Sequence, residues 1–198
     1  MTQLPAGVVT FLFSDIEAST RLLYRLGGED FLALVERHRV VMRTAFAAHS
    51  GHEFNTEGDS FCVAFERAGD AVGAALDAQG ALAREGFGDA GVRVRMGLHT
   101  GEGLVAEGDY YGLAVHQAAR IAAAAHGGQV LVSATTGSHV EDALPEGARF
   151  DDLGEHRLKD LERPHRLLQL RHRDLASEFP PPRSLEIVTH NLPVQTSS

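Results

Sequence analysis

Two aspartates sit where an apolar stretch of chain has reason to avoid charge. In FNTEGDSF, Asp59 follows a glycine inside an otherwise apolar segment; in FSDIEAST, Asp15 comes directly after the apolar run of residues 7–13. If those segments are neighbouring strands, both carboxylates leave one sheet at the same end. Two acids held together repel, which raises the pKa of one of them unless cations neutralise the pair. Mg²⁺ or Mn²⁺ suits such a site, because these ions take oxygen ligands, use one or two protein carboxylates and fill the remaining positions with phosphate and water. Two such ions about 3.5–4 Å apart can clamp both the attacking and the leaving oxygen of a phosphoryl displacement. The same residues also have an ordinary reading, Asp15 as a helix N-cap and Asp59 as a turn former. A helix starting within residues 16–20 would in addition point free backbone N–H groups at a phosphate tail.

The elements that must position these acids follow from spacing. Residues 7–13 (GVVTFLF) are β-branched and aromatic, as a short buried strand requires. Apolar residues across 19–49 recur at helical intervals, and Gly27-Gly28 divides them into two helices or a broken one. Residues 53–55 and 61–65 predict two strands hinged at Glu57-Gly58-Asp59, with the acid at the hairpin tip. An amphipathic helix is expected over Ala68–Arg84, a strand over 92–98, turns over 100–108, and a helix over 113–125 stopped by Gly127-Gly128. A strand over 129–133, a helix over 135–144 and a hairpin over 150–170 around Asp160-Leu161-Glu162 complete the series. This order predicts an α+β fold: a ferredoxin-like βαββαβ core with an antiparallel sheet, helices packed on it, and an extra C-terminal hairpin. The domain is expected to fill residues 1–172. Residues 173–198 hold four of the seven prolines and end in Ser-Ser, and so read as a tail or linker.

Composition narrows the function classes. The 27 acidic residues outnumber the 18 Lys and Arg, giving a net charge of −9, which disfavours direct contact with a nucleic acid backbone. A nucleotide carried by divalent cations is compatible with that charge. The single cysteine, Cys62, rules out an intrachain disulfide and reads as a small buried hydrophobe in a reducing compartment. With no signal peptide and no apolar run of about 18 residues, a cytoplasmic protein away from the membrane is expected. His49 and His52 lack further partners at zinc spacing. No P-loop, dinucleotide fingerprint or serine-nucleophile motif is present.

FSDIEAST, NTEGDSF and DYYGLAVHQAAR together resemble the class III nucleotidyl cyclase catalytic domain, in the order that family shows, over residues 8–170. The resemblance implies two metal-binding aspartates, Asp15 and Asp59, helped by the Ile16 carbonyl, with Thr20 near the phosphates. It implies Mg²⁺ or Mn²⁺, two per site, and sites that form only between two domains placed head to tail. Asp109 falls at the position that accepts a hydrogen bond from the adenine amino group, and Arg120 at the arginine that steadies transition-state charge. Lys159, in GEHRLKDLERP, matches a late phosphate-contacting lysine, and Arg95 in VRMGLHTG takes a similar role. Each keeps an ordinary alternative: a turn for Asp109, a structural ion pair for Arg120, a solvated hairpin for Lys159, the polar face of a strand for Arg95.

Two departures from the family pattern concern the substrate. Asn55 replaces the lysine that reads adenine, exchanging a charged hydrogen bond for a neutral one at a cost of about 1 kcal/mol. His116 replaces the asparagine that orients the ribose. The expected activity is therefore a slow adenylate cyclase making 3′,5′-cyclic AMP and pyrophosphate from ATP in a homodimer. Asp109 favours ATP and leaves GTP open. The alternative is a weak or inactive cyclase-like module that binds nucleotide or dimerises within a signalling or transcription-regulatory protein. A diguanylate cyclase or polymerase palm shares the two-acid sheet but leaves the spacing of Asp109 and Arg120 unexplained.

Overall fold

The computed structural model describes residues 4–87, 91–140 and 144–188. Along them run β1 (Gly7–Ile16), α1 (Ser19–Leu26), α2 (Gly28–Ala48), β2 (His52–Glu57), β3 (Ser60–Phe65), α3 (Ala68–Arg84) and β4 (Val94–Ala106). There follow β5 (Asp109–Tyr111), α4 (Leu113–Ala124), β6 (Val130–Ser133), α5 (Ala134–Val140), β7 (Ala148–Arg157), β8 (His165–His172) and β9 (Glu186–Val188). One sheet orders the strands β2-β3-β1-β4-β6-β8-β7-β9, with β5 paired to β4. The β2-β3-β1-β4 part is antiparallel throughout, as the ferredoxin-like core requires. The whole sheet is mixed, because α4 carries the chain back across it and β6 joins β4 in parallel. Purely antiparallel pairing thus holds for the core alone.

Strand β1 lies in the middle, and Val9, Thr10, Phe11 and Leu12 are at most 1% exposed. Alternation sends its side chains to two cores. Leu12 and Ile16 join Met42, Phe46 and the alanines of α3 on one face; Val9 and Phe11 join Tyr110, Ala114 and Ala118 on the other. A central strand covered on both sides must be apolar nearly throughout. That is why a carboxylate finds room only at its end, at Asp15.

Three expectations need correction. Strand β1 continues to Ile16, α1 starts only at Ser19, and its N-cap position is Ala18, in left-handed conformation (φ 56) without a side-chain cap bond. Asp15 is therefore a strand residue and not an N-cap, and no helix begins at Ile16. Residues 100–106 are also strand rather than turn, since β4 pairs with β1 as far as Gly103 and with β5 as far as Ala106. Their glycines are there for space. A Cβ on Gly101 would lie 2.7 Å from Ala114 Cβ, and one on Gly103 would lie 2.9 Å from Phe11. Lastly, residues 173–188 of the expected tail lie against the domain: Leu185 N–H donates to Arg157 O at 2.9 Å, and β9 pairs with β7. The expected end of the helix over 135–144 lies in part outside the described residues. Among the described residues, no helix is long and apolar enough to cross a membrane.

The closest approach is at Gly97, where a Cβ would stand 2.1 Å from the backbone nitrogen of Ala122 on α4. Alanine there must push α4 off the sheet. Gly97→Ala should lower stability by about 3 kcal/mol, the upper range for overpacking a filled core. Urea unfolding would measure it, and a loss below about 1 kcal/mol would mean that the helix yields easily.

Candidate active site

Asp15 is the last but one residue of β1 and pairs across the ladder with Arg95 on β4. The guanidinium grips the carboxylate at both ends, Nε to Oδ1 at 2.5 Å and Nη2 to Oδ2 at 2.9 Å. Arg95 also donates to Ala123 O on α4 at 3.1 Å. The bond to Asp15 raises the Arg95 pKa; burial opposes this, and the charges of Asp15, Glu17 and Asp59 add to it. Asp59 arrives from the β2–β3 turn, and its Oδ2 accepts the Ile16 N–H at 2.7 Å. The two aspartates thus meet at one strand end. Arg39 on α2 donates Nε and Nη2 to Gly58 O at 3.2 and 2.6 Å, steadying the turn from outside.

These groups fit a divalent cation. Two carboxylates and the Ile16 carbonyl form an all-oxygen donor set, the kind Mg²⁺ and Mn²⁺ prefer. Arg95 already brings one positive charge to the place where cations would stand. Among the described residues no three His, Cys, Asp or Glu side chains cluster to hold a metal. The remaining ligands would therefore be phosphate and water. His49 bonds Asp77 at 2.7 Å.

A second group forms on the α4 side of the sheet. Asn55 on β2 stands opposite Cys62 on β3, and Cys62 opposite Phe13 on β1, so the three share a face. Burial first, and then the charge of Asp109, pushes the Cys62 thiol up to about 12 and keeps it neutral. Asp109 thus lies within electrostatic reach of the Asn55–Cys62 row, and its Oδ1 accepts the Tyr110 N–H at 2.7 Å. Phe54 beside it packs edge-on to Tyr110 with centroids 4.9 Å apart, giving the row an aromatic border. Cys62 is only half-buried and opens onto this face.

A third group lies on α4 and the β7–β8 loop. His116 and Arg120 are four residues apart and so share a helix face. Arg120 pairs with Asp160 at 2.6 Å, next to the exposed Lys159. Thr20 is exposed in the first turn of α1. Among the described residues, no hydrogen bond or ion pair joins the Asp15–Asp59 group to Asp109, Arg120 or Lys159. One protomer therefore carries its candidate residues as separate sets. Sequence reasoning missed Asp160, Arg39 and the direct hold of Arg95 on Asp15. The alternation of VRVRM showed only that Arg95 shares a strand face with Arg93, and nothing local marked the pairing across 80 residues.

The chain belongs to the adenylate and guanylate cyclase catalytic domain family, which it matches over residues 1–169. It is 41% identical over 182 residues to an uncharacterized protein of Mycobacterium tuberculosis, a match covering 91% of this chain and 61% of the relative. The chain thus spans about three fifths of the length of these curated relatives. Among solved structures, it is similar to an adenylate cyclase from Trypanosoma brucei in its monomeric state, with a TM-score of 0.77, 25% identity, and 93% and 98% of the two chains covered. It is also similar to the adenylyl cyclase CyaB of P. aeruginosa, with a TM-score of 0.70, 25% identity, and 88% and 100% covered.

Proposed function

We propose that the chain is a slow adenylate cyclase, working as a head-to-tail homodimer in which each site takes the aspartate pair from one protomer and the other two groups from its partner. The observation that carries this reading is the convergence of Asp15 and Asp59 at one strand end while Asn55, Asp109, Arg120 and Lys159 are grouped elsewhere. Exposed apolar residues support a second copy: Leu104 and Leu113 are 61% and 64% exposed beside the β4–β5 hairpin, with Tyr111 between them.

Asp15, Asp59 and the Ile16 carbonyl would hold two Mg²⁺ or Mn²⁺ ions, which supply charge that acidifies the ribose hydroxyl and offsets the triphosphate. The partner's face supplies base recognition, Asp109 accepting from the adenine amino group and Asn55 donating to N1. The 3′-oxygen, as it loses its proton, bonds to the α-phosphorus while the bond to pyrophosphate breaks. Arg120 turns from Asp160 toward the charge that develops there, where preorganised donors contribute most. Thr20, Lys159 and Arg95 hold phosphate oxygens. His116 faces the ribose with a bulkier group than an amide. With Asn55 uncharged, the substrate is held less tightly by about 1 kcal/mol. Asp109 gives the lean to ATP over GTP, and the adenylate cyclase names of several relatives support it.

Incubation with ATP and Mn²⁺ should yield cyclic AMP and pyrophosphate, and Asp59→Ala should lower the rate at least about 100-fold, as expected for a charge-bearing metal ligand. The second reading, a nucleotide-binding or dimerising module without turnover, is favoured by the ion pairs that occupy Arg95 and Arg120. A wild-type rate no higher than that of Asp59→Ala, at every protein concentration, would establish the module instead.

A further inference from the structure

The arm after β8 touches α4, β7 and the segment just after β1. Arg183 N–H donates to Ala124 O at 2.8 Å, one residue beyond the carbonyl that holds Arg95 and four beyond Arg120. Ser184 Oγ lies 2.9 Å from His156 Nδ1, and Leu185 N–H bonds Arg157 O, two residues before Lys159. Pro181 O lies 2.9 Å from His126 Nε2. The Arg183 guanidinium forms an ion pair with Glu17, two residues after Asp15.

Glu17 is built into this contact. Its N–H donates to Arg93 O at 2.8 Å, and a Cβ on Gly127 would come within 2.8 Å of its Oε2, so the carboxylate fits only against glycine. Beneath the arm lies a cleft of ≈ 700 Å³ lined by Leu82, Val92, Arg93, Leu175 and Phe179. Between Leu175, which packs on the core, and β9, which pairs with β7, the arm is held over this cleft by separate contacts.

We propose that Arg183 is a positioning residue for the metal site: by fixing Glu17 it fixes the end of β1, and with it the direction of Asp15 and the Ile16 carbonyl. This rests on the cyclase reading for its functional meaning, but the positioning itself is a property of the folded chain. Any force that pulls the arm off the domain then loosens the site without touching it.

The test compares Arg183→Met, which keeps the stem and removes the charge, with Arg183→Lys, which restores a cation. Amide hydrogen exchange followed by NMR reads the Ile16 and Glu17 N–H groups, one bonded to Asp59 and the other to Arg93. In Arg183→Met both should exchange about tenfold faster, the loss of one charge-assisted bond, while Leu12 in mid-strand is unchanged. Arg183→Lys should lie close to wild type. In cyclase assays Arg183→Met should raise the half-saturating Mn²⁺ concentration about tenfold and leave the KM for ATP at saturating metal near wild type. Unchanged exchange at Ile16 and Glu17 would overturn the proposal, as would faster exchange spread evenly along β1 with a lower melting temperature. A wild-type chain that makes no cyclic AMP would sink the cyclase reading, yet the exchange measurement would still decide the role of Arg183.

Discussion

Mixing Asp59→Ala chains with Arg120→Ala chains should restore cyclic AMP production that neither variant shows alone, to about one quarter of the wild-type rate. In a two-fold dimer each interface is used twice, so two sites are made, each drawing its aspartates from one copy and its arginine from the other. A homodimer of either variant has both sites damaged. In a mixed dimer both lesions fall in one site and the other is intact. Random pairing gives half mixed dimers with one working site each, hence about a quarter of the full rate. A mixture no more active than the variants measured apart would show that each chain holds its own site, against the separation of Arg120 from the Asp15–Asp59 pair.

The second large effect is on stability in acid. His38 is completely buried on α2 against Phe61, and neither of its nitrogens has a partner among the described residues. Burial, with help from the Arg39 charge, pulls its pKa down to about 4. His99 is 6% exposed, bonded to Ser133 at 2.9 Å, and is pulled to about 4 by burial and by His165. Above pH 6.5 both states are neutral at these positions and nothing depends on pH. Between 6.5 and about 4 the unfolded chain takes up protons that the folded chain refuses, so stability falls as the pH falls. At 1.36 kcal/mol per pH unit, each histidine should cost about 3 kcal/mol once pH 4 is reached. Together they would remove much of a stability of about 5–15 kcal/mol. Urea unfolding at pH 7.5 and 4.5 measures this, and His38→Leu should keep about half of what the wild type loses. Equal stability of the wild type at the two pH values would refute it.

Much of the frame was readable because period and punctuation agreed. GVVTFLF is apolar on both faces because β1 is central, Gly27-Gly28 does separate α1 from α2, and α3 runs from Ala68 to Arg84 as its alanines suggested. The β4 glycines misled. Gly101 and Gly103 have turn chemistry, yet they are glycines so that α4, Phe11 and Tyr110 can approach. Only the fold reveals a neighbour that needs the space. At the site, the meeting of Asp15 and Asp59 followed from placing β1 beside β3. The partners that hold the charged groups did not, because Arg95–Asp15, Arg120–Asp160 and Arg183–Glu17 each join residues 40 or more positions apart. The docked arm was hidden for another reason: prolines report an extended backbone, and an extended backbone lies along a sheet edge as readily as it hangs in water.

The grip of Arg95 on Asp15 has a consequence for how the domain waits between tasks. Small proteins that gather acids around an ion commonly need that ion as a template before they fold. Here the counter-charge is part of the chain, so the resting architecture is self-sufficient, and loading the site becomes an exchange in which an incoming cation must evict an arginine already in place.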